Sequence, residues 1–519
     1  MIVRSPHPDV DIPVVSFTSF VLERAERLGP KPALIDGPTG RTLTYGELAT
    51  AVRHAAAGLA ARGLRAGDVF ALCSPNLPEF AVAFHAVATL GGAVTTLNPL
   101  LTEEEIAAQL ADSGARGVLT VLPLLEKVQA AAERSGVEEI LIFERSERAA
   151  SFADLVSDDR EPPPVEIDPR EQVVALPYSS GTTGRQKGVM LTHYNLVANL
   201  CQVLAVDDVA EEDVMLGVLP FFHIYGMAVV MSVGLRLGST IVTLPRFELE
   251  GLLAALERYR VTRANLVPPI ILALAKHPLV DSFDLSRLTA IMSGAAPLGE
   301  GTEQACRERL GCAVTQGYGL TETSPVTHLN PPGKSRAGSV GPSLPNTQVK
   351  IVDPKTGEAL AAGRTGEVRI RGPQVMKGYL NRPDATAAAL DAEGWLHTGD
   401  VGRVDEEGYL YIVDRLKELI KYKGYQVAPA ELEDVLLSHP AVADAAVIPA
   451  PHEEAGEVPV AYVVRAGEVS AAEVMAFVAE RVAPYKKVRR VEFTDRIPKS
   501  ASGKILRRVL IERERGAPI

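Results

Sequence analysis

Between residues 68 and 121 the sequence changes its hydrophobic period again and again, and this limits the fold more than any other feature. "DVFALC" (68–73) is a short, continuous apolar run suited to a strand covered on both faces. "SPNLP" breaks it, and "EFAVAFHAVATLGG" then has apolar residues at helical spacing. "AVTTLN" is β-branched and extended. Thr102 next offers an N-cap hydroxyl, with Glu103, Glu104 and Glu105 in the first turn behind it. "RGVLTV" returns to strand. Such alternation predicts an α/β domain built on a largely parallel sheet. At 519 residues the chain exceeds what one hydrophobic core serves, so two or more domains are expected.

A second unit begins near residue 414. Before it, "GWLHTGDVGRVDEEGYLYIVDR" reads as short strands and turns. After it come "LKELIKYKGYQVAP", a helix from Ala430 to Leu437, and strands around "ADAAVIPA" and "VPVAYVVR". Ser470 caps a helix expected to run to about Val482, with Pro484 stopping it. This is a compact α+β unit of about 100 residues. The expected division is 1–413, a hinge at 414–417, and 418–519. A linker rich in Pro and charge, "DDREPPPVEIDPRE" (158–171), interrupts the larger part.

The formal net charge of -12 argues against nucleic acid and anionic membrane as partners. An anionic ligand must therefore be held by local groups. Cys73, Cys201, Cys306 and Cys312 form no CxxC pair, so the sequence suggests neither a zinc site nor a disulfide framework and suits a reducing compartment. The N-terminus lacks a signal-peptide apolar core, and the longest apolar runs fall well short of the ~20 residues of a membrane helix. A cytoplasmic, soluble protein, monomer or homodimer, is the expectation.

"YSSGTTGRQKGVMLTH" (178–193) carries the chemistry. Its glycines let backbone amides approach a ligand, its hydroxyls donate, and Lys187 adds a cation, which together suit a phosphate cradle. It is not a Walker A loop. Gln186 stands where that motif needs its second glycine, and Gly188 where it needs the Mg²⁺-binding hydroxyl.

The stretch resembles the phosphate loop of the adenylate-forming enzymes: acyl-CoA synthetases, firefly-type luciferases and peptide-synthetase adenylation domains. Seven further segments follow in that superfamily's order: "LPFFHIYG" (219–226), "SGAAP" (293–297), "QGYGLTE" (316–322), "GEVRIRG" (366–372), "GWLHTGD" (394–400), "VDRLKELIKYKGYQVAPAELE" (413–433) and "PKSASGKILRR" (498–508). "GWLHTGD" and "IKYKGYQVAPAELE" bring it nearest to the 4-coumarate–CoA ligase branch. The resemblance implies a large multi-sheet N-terminal adenylation domain plus a small mobile C-terminal domain. It implies two steps: a carboxylic acid attacks ATP, giving acyl-AMP and pyrophosphate, and coenzyme A then displaces AMP.

Site roles come from the same resemblance. Ser179, Ser180, Gly181, Thr182, Thr183, Gly184 and Lys187 hold the triphosphate. Glu322 binds Mg²⁺ and Thr321 touches the α-phosphate. Ala295, Ala296 and Pro297 with Gln316, Gly317 and Tyr318 form the adenine pocket, while Asp400, helped by Arg415, accepts from the ribose. His223 lies near the reacting carboxylate, as an orienting group rather than a base, because the acid is already ionised at pH 7. Tyr225, Val229, Ala295, Gly317, Pro325, Val326 and Leu329 line the acyl pocket. That lining is mostly apolar, with one phenol, and suits an aromatic acid, such as a cinnamate, or a medium-length apolar acid. Val229 departs from the serine of plant coumarate ligases, which loosens the link to hydroxycinnamates. Lys504 is the adenylation lysine, and Lys417, Lys421 and Gln426 support the nucleotide. Arg246, Lys423 and Gly424 serve coenzyme A. Three alternatives share this chemistry: a medium-chain fatty-acyl-CoA synthetase, a luciferase-like oxygenase, and an adenylation enzyme that loads a carrier protein.

Overall fold

The computed structural model describes every residue except 158, 180–185, 424, 501–502, 515 and 517–519. The alternation in the first part of the chain builds one mixed sheet. Its parallel centre runs Val173–Ala175, Ala93–Leu97, Val69–Cys73, Ala115–Thr120 and Glu139–Ile142 in spatial order. Lys187–Thr192 adds to this sheet antiparallel beside Val173–Ala175, so the strand that leaves the phosphate loop is anchored in it. Helix Glu103–Ser113 starts as its sequence predicts, with a reciprocal capping box between Thr102 and Glu105. Pro78 does not only break the preceding strand. It is the first residue of helix Pro78–Thr89, where a missing N–H costs nothing, and residues 80–88 of that helix are buried.

A second sheet has a parallel centre of Ala313–Gly319, Ala290–Ser293, Arg263–Leu266, Val214–Gly217, Thr240–Thr243 and Pro32–Asp36. Val326–Leu329 closes one edge antiparallel to Ala313–Gly319. Asn76, just before Pro78, stitches the two sheets together. Its amide donates to the carbonyls of Gly217 (2.9 Å) and Leu219 (2.8 Å) and accepts from the Phe221 N–H (2.7 Å). This fixes the segment that leads to His223.

A third, antiparallel sheet joins Ile2–Arg4, Gln348–Val352, Gly366–Arg371, Leu396–Val404 and Leu410–Arg415. Asp414 and Arg415 end its last strand, and Lys417 lies exposed in the turn that follows.

The remaining chain forms the small unit. Its sheet runs Tyr425–Val427, Ile420–Tyr422, Gly456–Arg465 and Val442–His452, with Arg490–Phe493 beside Gly456–Arg465. It has its own apolar clusters, one around Ile420, Leu432, Val447 and Val474, the other around Ile448, Val460 and Leu510. The helix after Ser470 spans Ala471–Ala479 and stops short of the expected Val482. Arg481 folds back to donate to the carbonyl of Phe477 (2.9 Å) and cover its ring, closing the helix before Pro484 can disturb it.

The two parts touch at defined points. The Lys276 ammonium donates to the Leu437 carbonyl (2.7 Å), at the C-terminal end of helix Pro429–Leu437. Gly299 faces the Asp434 carboxylate, and Gly503 packs against Val267 and Pro269.

Candidate active site

The site forms where the ends of the second and third sheets meet the loop that carries Lys504. Asp400 is buried on Leu396–Val404 and accepts from the Tyr318 phenol (2.6 Å) through Oδ2. Its Oδ1 faces Arg415 Nε at 3.5 Å. Burial raises the Asp400 pKa, opposed by Arg415 and by the Tyr318 hydrogen bond. Burial also holds the Tyr318 phenol well above its ordinary value, so it remains a donor.

Lys504 sits among these charges. Burial lowers its ammonium to about 8, helped by Arg415 and opposed by Asp400 and Glu322. The small unit thus brings its lysine to Asp400 and Glu322 of the large part, with Arg415 of the joining segment and Glu418 just after it also acting on it. His223 is lowered to about 4, mainly by burial and further by Lys504. Its Nδ1 accepts from the Tyr225 N–H (3.3 Å). A neutral ring that accepts at Nδ1 carries its proton at Nε2, so His223 offers a donor and not a base.

Glu322 is buried beside this group. Its Oε1 accepts from the Tyr379 phenol (2.8 Å), and the Lys187 ammonium stands 4.7 Å above the Tyr379 ring centre. The second oxygen of Glu322 takes no hydrogen bond among the described residues. Among those residues no three His, Cys, Asp or Glu side chains gather to hold a metal by themselves. One carboxylate with a free oxygen near a lysine ammonium suits Mg²⁺, which keeps waters and takes substrate phosphates as ligands.

The expected adenine wall, residues 295–297, is shaped by backbone. Ala295 has a positive φ of 71°, a conformation a non-glycine residue adopts only when its surroundings impose it. Gln316 imposes part of this. Its side chain accepts from the Leu298 N–H (3.0 Å) and donates to the Leu298 carbonyl (3.1 Å) and to Glu303 (2.9 Å). The Gln316 side chain is therefore committed to holding the loop that contains Ala295, Ala296 and Pro297.

Apart from Ala295, the expected acyl residues fall on the stretch Tyr225–Ser232 and on the paired strands Ala313–Gly319 and Val326–Leu329, with Pro325 just before the latter. Tyr225 and Val229 lie on a π-helical stretch, Tyr225–Ser232, a wide turn type that recurs at functional sites. The Tyr225 hydroxyl donates to the Met292 carbonyl (3.2 Å), and its ring lies against Gly294, where any side chain would collide with it. Gly317 pairs with Leu329 in register. Pro325 and Val326 follow the turn Thr321–Thr323, and Asn199 grips both the N–H and the carbonyl of Val326. Behind Val229 and Met292 lies a cavity of about 20 Å³, also lined by Met215, Arg263, Asn265 and Thr315.

Other expected residues lie apart. Lys421 and Gln426 face each other across an exposed hairpin, with Lys423 at its tip in a positive-φ conformation. Arg246 is exposed and paired with Glu248 (2.6 Å). Ser179 pairs in register with Lys187 across the base of the phosphate loop. Ser180, Gly181, Thr182, Thr183, Gly184 and Gly424 lie outside the described residues. Three residues were not singled out from the sequence: Asn76, Asn199 and Tyr379. A lone asparagine carries no signal by itself, whether ahead of a helix, as Asn76, or within one, as Asn199 in His193–Leu204. The "KGY" at 377–379 sits on a strand of two residues, too short to show a period.

Comparison with known proteins agrees with this architecture. A family model described as AMP-binding enzyme matches residues 21–380, and its companion, AMP-binding enzyme C-terminal domain, matches 431–504. The chain is 46% identical to a 4-coumarate–CoA ligase of Pinus taeda, over 98% of this chain and 97% of that protein. It is 45% identical to 4-coumarate–CoA ligase 2 of Nicotiana tabacum, over 98% and 96%. Among solved structures, the anthranilate CoA ligase AuaEII in complex with anthranoyl-AMP superposes with a TM-score of 0.90 at 25% identity, covering 97% of this chain and 98% of that one. ATP-bound MatB from Rhodopseudomonas palustris superposes with a TM-score of 0.87 at 30% identity, covering 96% and 99%. Motif order, two-part fold and these matches lead to one conclusion: the chain belongs to the family of AMP-binding enzymes.

Proposed function

We propose that this protein is an ATP-dependent acid–CoA ligase acting on a cinnamate-type or similar aromatic acid. The observation that carries the reading is Lys504, held by the small unit within the fields of Asp400, Arg415 and Glu322. In the first step a carboxylate oxygen attacks the α-phosphorus, the bond to pyrophosphate breaks, and acyl-AMP forms. Negative charge spreads over the phosphoryl oxygens, so fixed cations and donors lower the barrier. Lys187 and the loop 179–184 hold the β- and γ-phosphates, Thr321 and Lys504 face the α-phosphate, and Asp400 accepts from the ribose. His223 donates from Nε2 to the acid. Glu322 would hold Mg²⁺, which supplies neutralising charge at the phosphates. In the second step the coenzyme A thiolate attacks the acyl carbonyl and AMP leaves. Lys423 and Gly424 line the thiol path, with Lys421 and Gln426 on the same hairpin, and Arg246 meets the coenzyme A nucleotide.

The division at 414–417 serves this scheme as a hinge, with Lys417 at the pivot between 1–413 and 418–519. The likeness to 4-coumarate–CoA ligases of Pinus taeda and Nicotiana tabacum, at 46% and 45% identity, supports an aromatic acid. Four free cysteines accord with a cytoplasmic location. The test is CoA-dependent AMP release across cinnamates, benzoates and C6 to C12 fatty acids. Cinnamates should give the highest kcat/KM. A preference for α-amino acids, or turnover without coenzyme A, would count against the assignment.

A further inference from the structure

Tyr379 lies at a junction that the two-step scheme leaves without a role. Its strand, Gly378–Tyr379, pairs antiparallel with Lys187–Thr192, and the Leu380 N–H donates to the Gly188 carbonyl (2.8 Å). Two residues before this strand, the Met376 N–H donates to the Glu322 carbonyl (2.9 Å). One short segment is therefore tied to the exit of the phosphate loop on one side and to the turn bearing Glu322 on the other. The side chain repeats the connection. Its hydroxyl donates to Glu322 Oε1, and its ring face lies under the Lys187 ammonium.

A buried carboxylate with one bonded oxygen cannot rotate freely. The phenol fixes Oε1 and leaves Oε2 as the oxygen available to a cation. The ring gives Lys187 an apolar but electron-rich seat, so its ammonium is held near the carboxylate without being neutralised by it. We infer that Tyr379 is a positioning residue that orients Glu322 toward Mg²⁺ and Lys187 toward the β- and γ-phosphates of the same nucleotide. This rests on the ligase reading, in which Glu322 is the metal ligand.

The two effects separate in one side chain. Tyr379→Phe removes the hydroxyl and keeps the ring, so the seat of Lys187 persists while Glu322 loses its anchor. ATP binding is measured by calorimetry without acid, once with Mg²⁺ and once with EDTA. The factor by which Mg²⁺ tightens binding should fall roughly 10-fold in Tyr379→Phe, the usual loss when an outer-shell partner of a metal ligand is removed. Affinity in EDTA should stay within about twofold, because the Lys187 contact is retained. Thioester formation from synthetic acyl-AMP reports that the variant is folded. Thr386→Ala is the control. It removes the acceptor of the Tyr379 N–H (2.9 Å) and leaves the phenol in place, so it should keep the parent's Mg²⁺ factor. An unchanged factor in Tyr379→Phe, or an equal loss in Thr386→Ala, overturns the inference. A parent protein that binds ATP equally with and without Mg²⁺ overturns the metal role of Glu322 and this inference with it. A parent that lacks acid-dependent pyrophosphate exchange overturns the ligase reading instead.

Discussion

At the scale of single residues, the site depends on side chains whose charge is set by burial. Lys504 is lowered to about 8, so its ammonium is present below that pH and lost above it. kcat/KM for ATP reports ionisations of the free enzyme. In acyl-AMP formation it should be level below pH 8 and fall about tenfold per unit well above it. An alkaline limb near 10.5, the ordinary lysine value, contradicts the burial assigned to Lys504. In the proposed scheme Lys187 acts through the triphosphate. Lys187→Ala should lose charge-assisted contacts of roughly 1.5–3 kcal/mol, seen as a 10- to 100-fold loss in kcat/KM for ATP with little change in affinity for the acid. An unchanged KM for ATP with unchanged turnover removes it from the cradle. Lys187, Glu322 and Asp400 could be singled out from the sequence because each sits in a motif of fixed wording. The committed state of the Gln316 side chain was not, because its partners, Leu298 and Glu303, lie 18 and 13 residues away and meet it only in the fold.

Among elements, legibility followed local chemistry. Thr102 and Ser470 start their helices as their hydroxyls predict, since a capping box needs only four consecutive residues. The end of Ala471–Ala479 depends on Arg481 returning to Phe477, and the π-helical stretch at Tyr225–Ser232 depends on what packs around it. Neither leaves a periodic trace. The loop that carries Lys504 makes an element-scale prediction. Gly503 has φ of 77°, and a Cβ placed there would lie 2.9 Å from Val267 Cγ2. Gly503→Ala meets both the backbone cost of a positive φ, about 1 kcal/mol, and this collision. It should slow acyl-AMP formation by about an order of magnitude or more, because Lys504 is displaced from the α-phosphate. Thioester formation from acyl-AMP should be little changed. Loss of both steps together would mean that the loop serves general stability rather than placement of the lysine.

For the whole molecule, the net charge of -12 agrees with an anion held by a few converging cations rather than by the overall field. Lys187 comes from the large part, Arg415 from the segment 414–417 that joins the two, and Lys504 from the small one. The arrangement described here, with Lys276 on Leu437 and Gly503 on Val267, puts Lys504 in the cleft and leaves Lys423 exposed. It therefore suits acyl-AMP formation. In the proposed scheme the thiol step would need that space cleared and Lys423 brought near, so one orientation would serve one half-reaction. Lys417→Pro should fix φ near about -65° and impair one half-reaction more than the other. Equal impairment argues against a pivot there. The central claim, that the small unit supplies a cation to the first step alone, is tested most directly by Lys504→Ala with the two half-reactions measured separately. Pyrophosphate exchange should fall by about two orders of magnitude or more, the loss of one transition-state electrostatic donor. Conversion of synthetic acyl-AMP and coenzyme A to acyl-CoA should remain near the parent rate. Equal losses in both measurements would contradict the account.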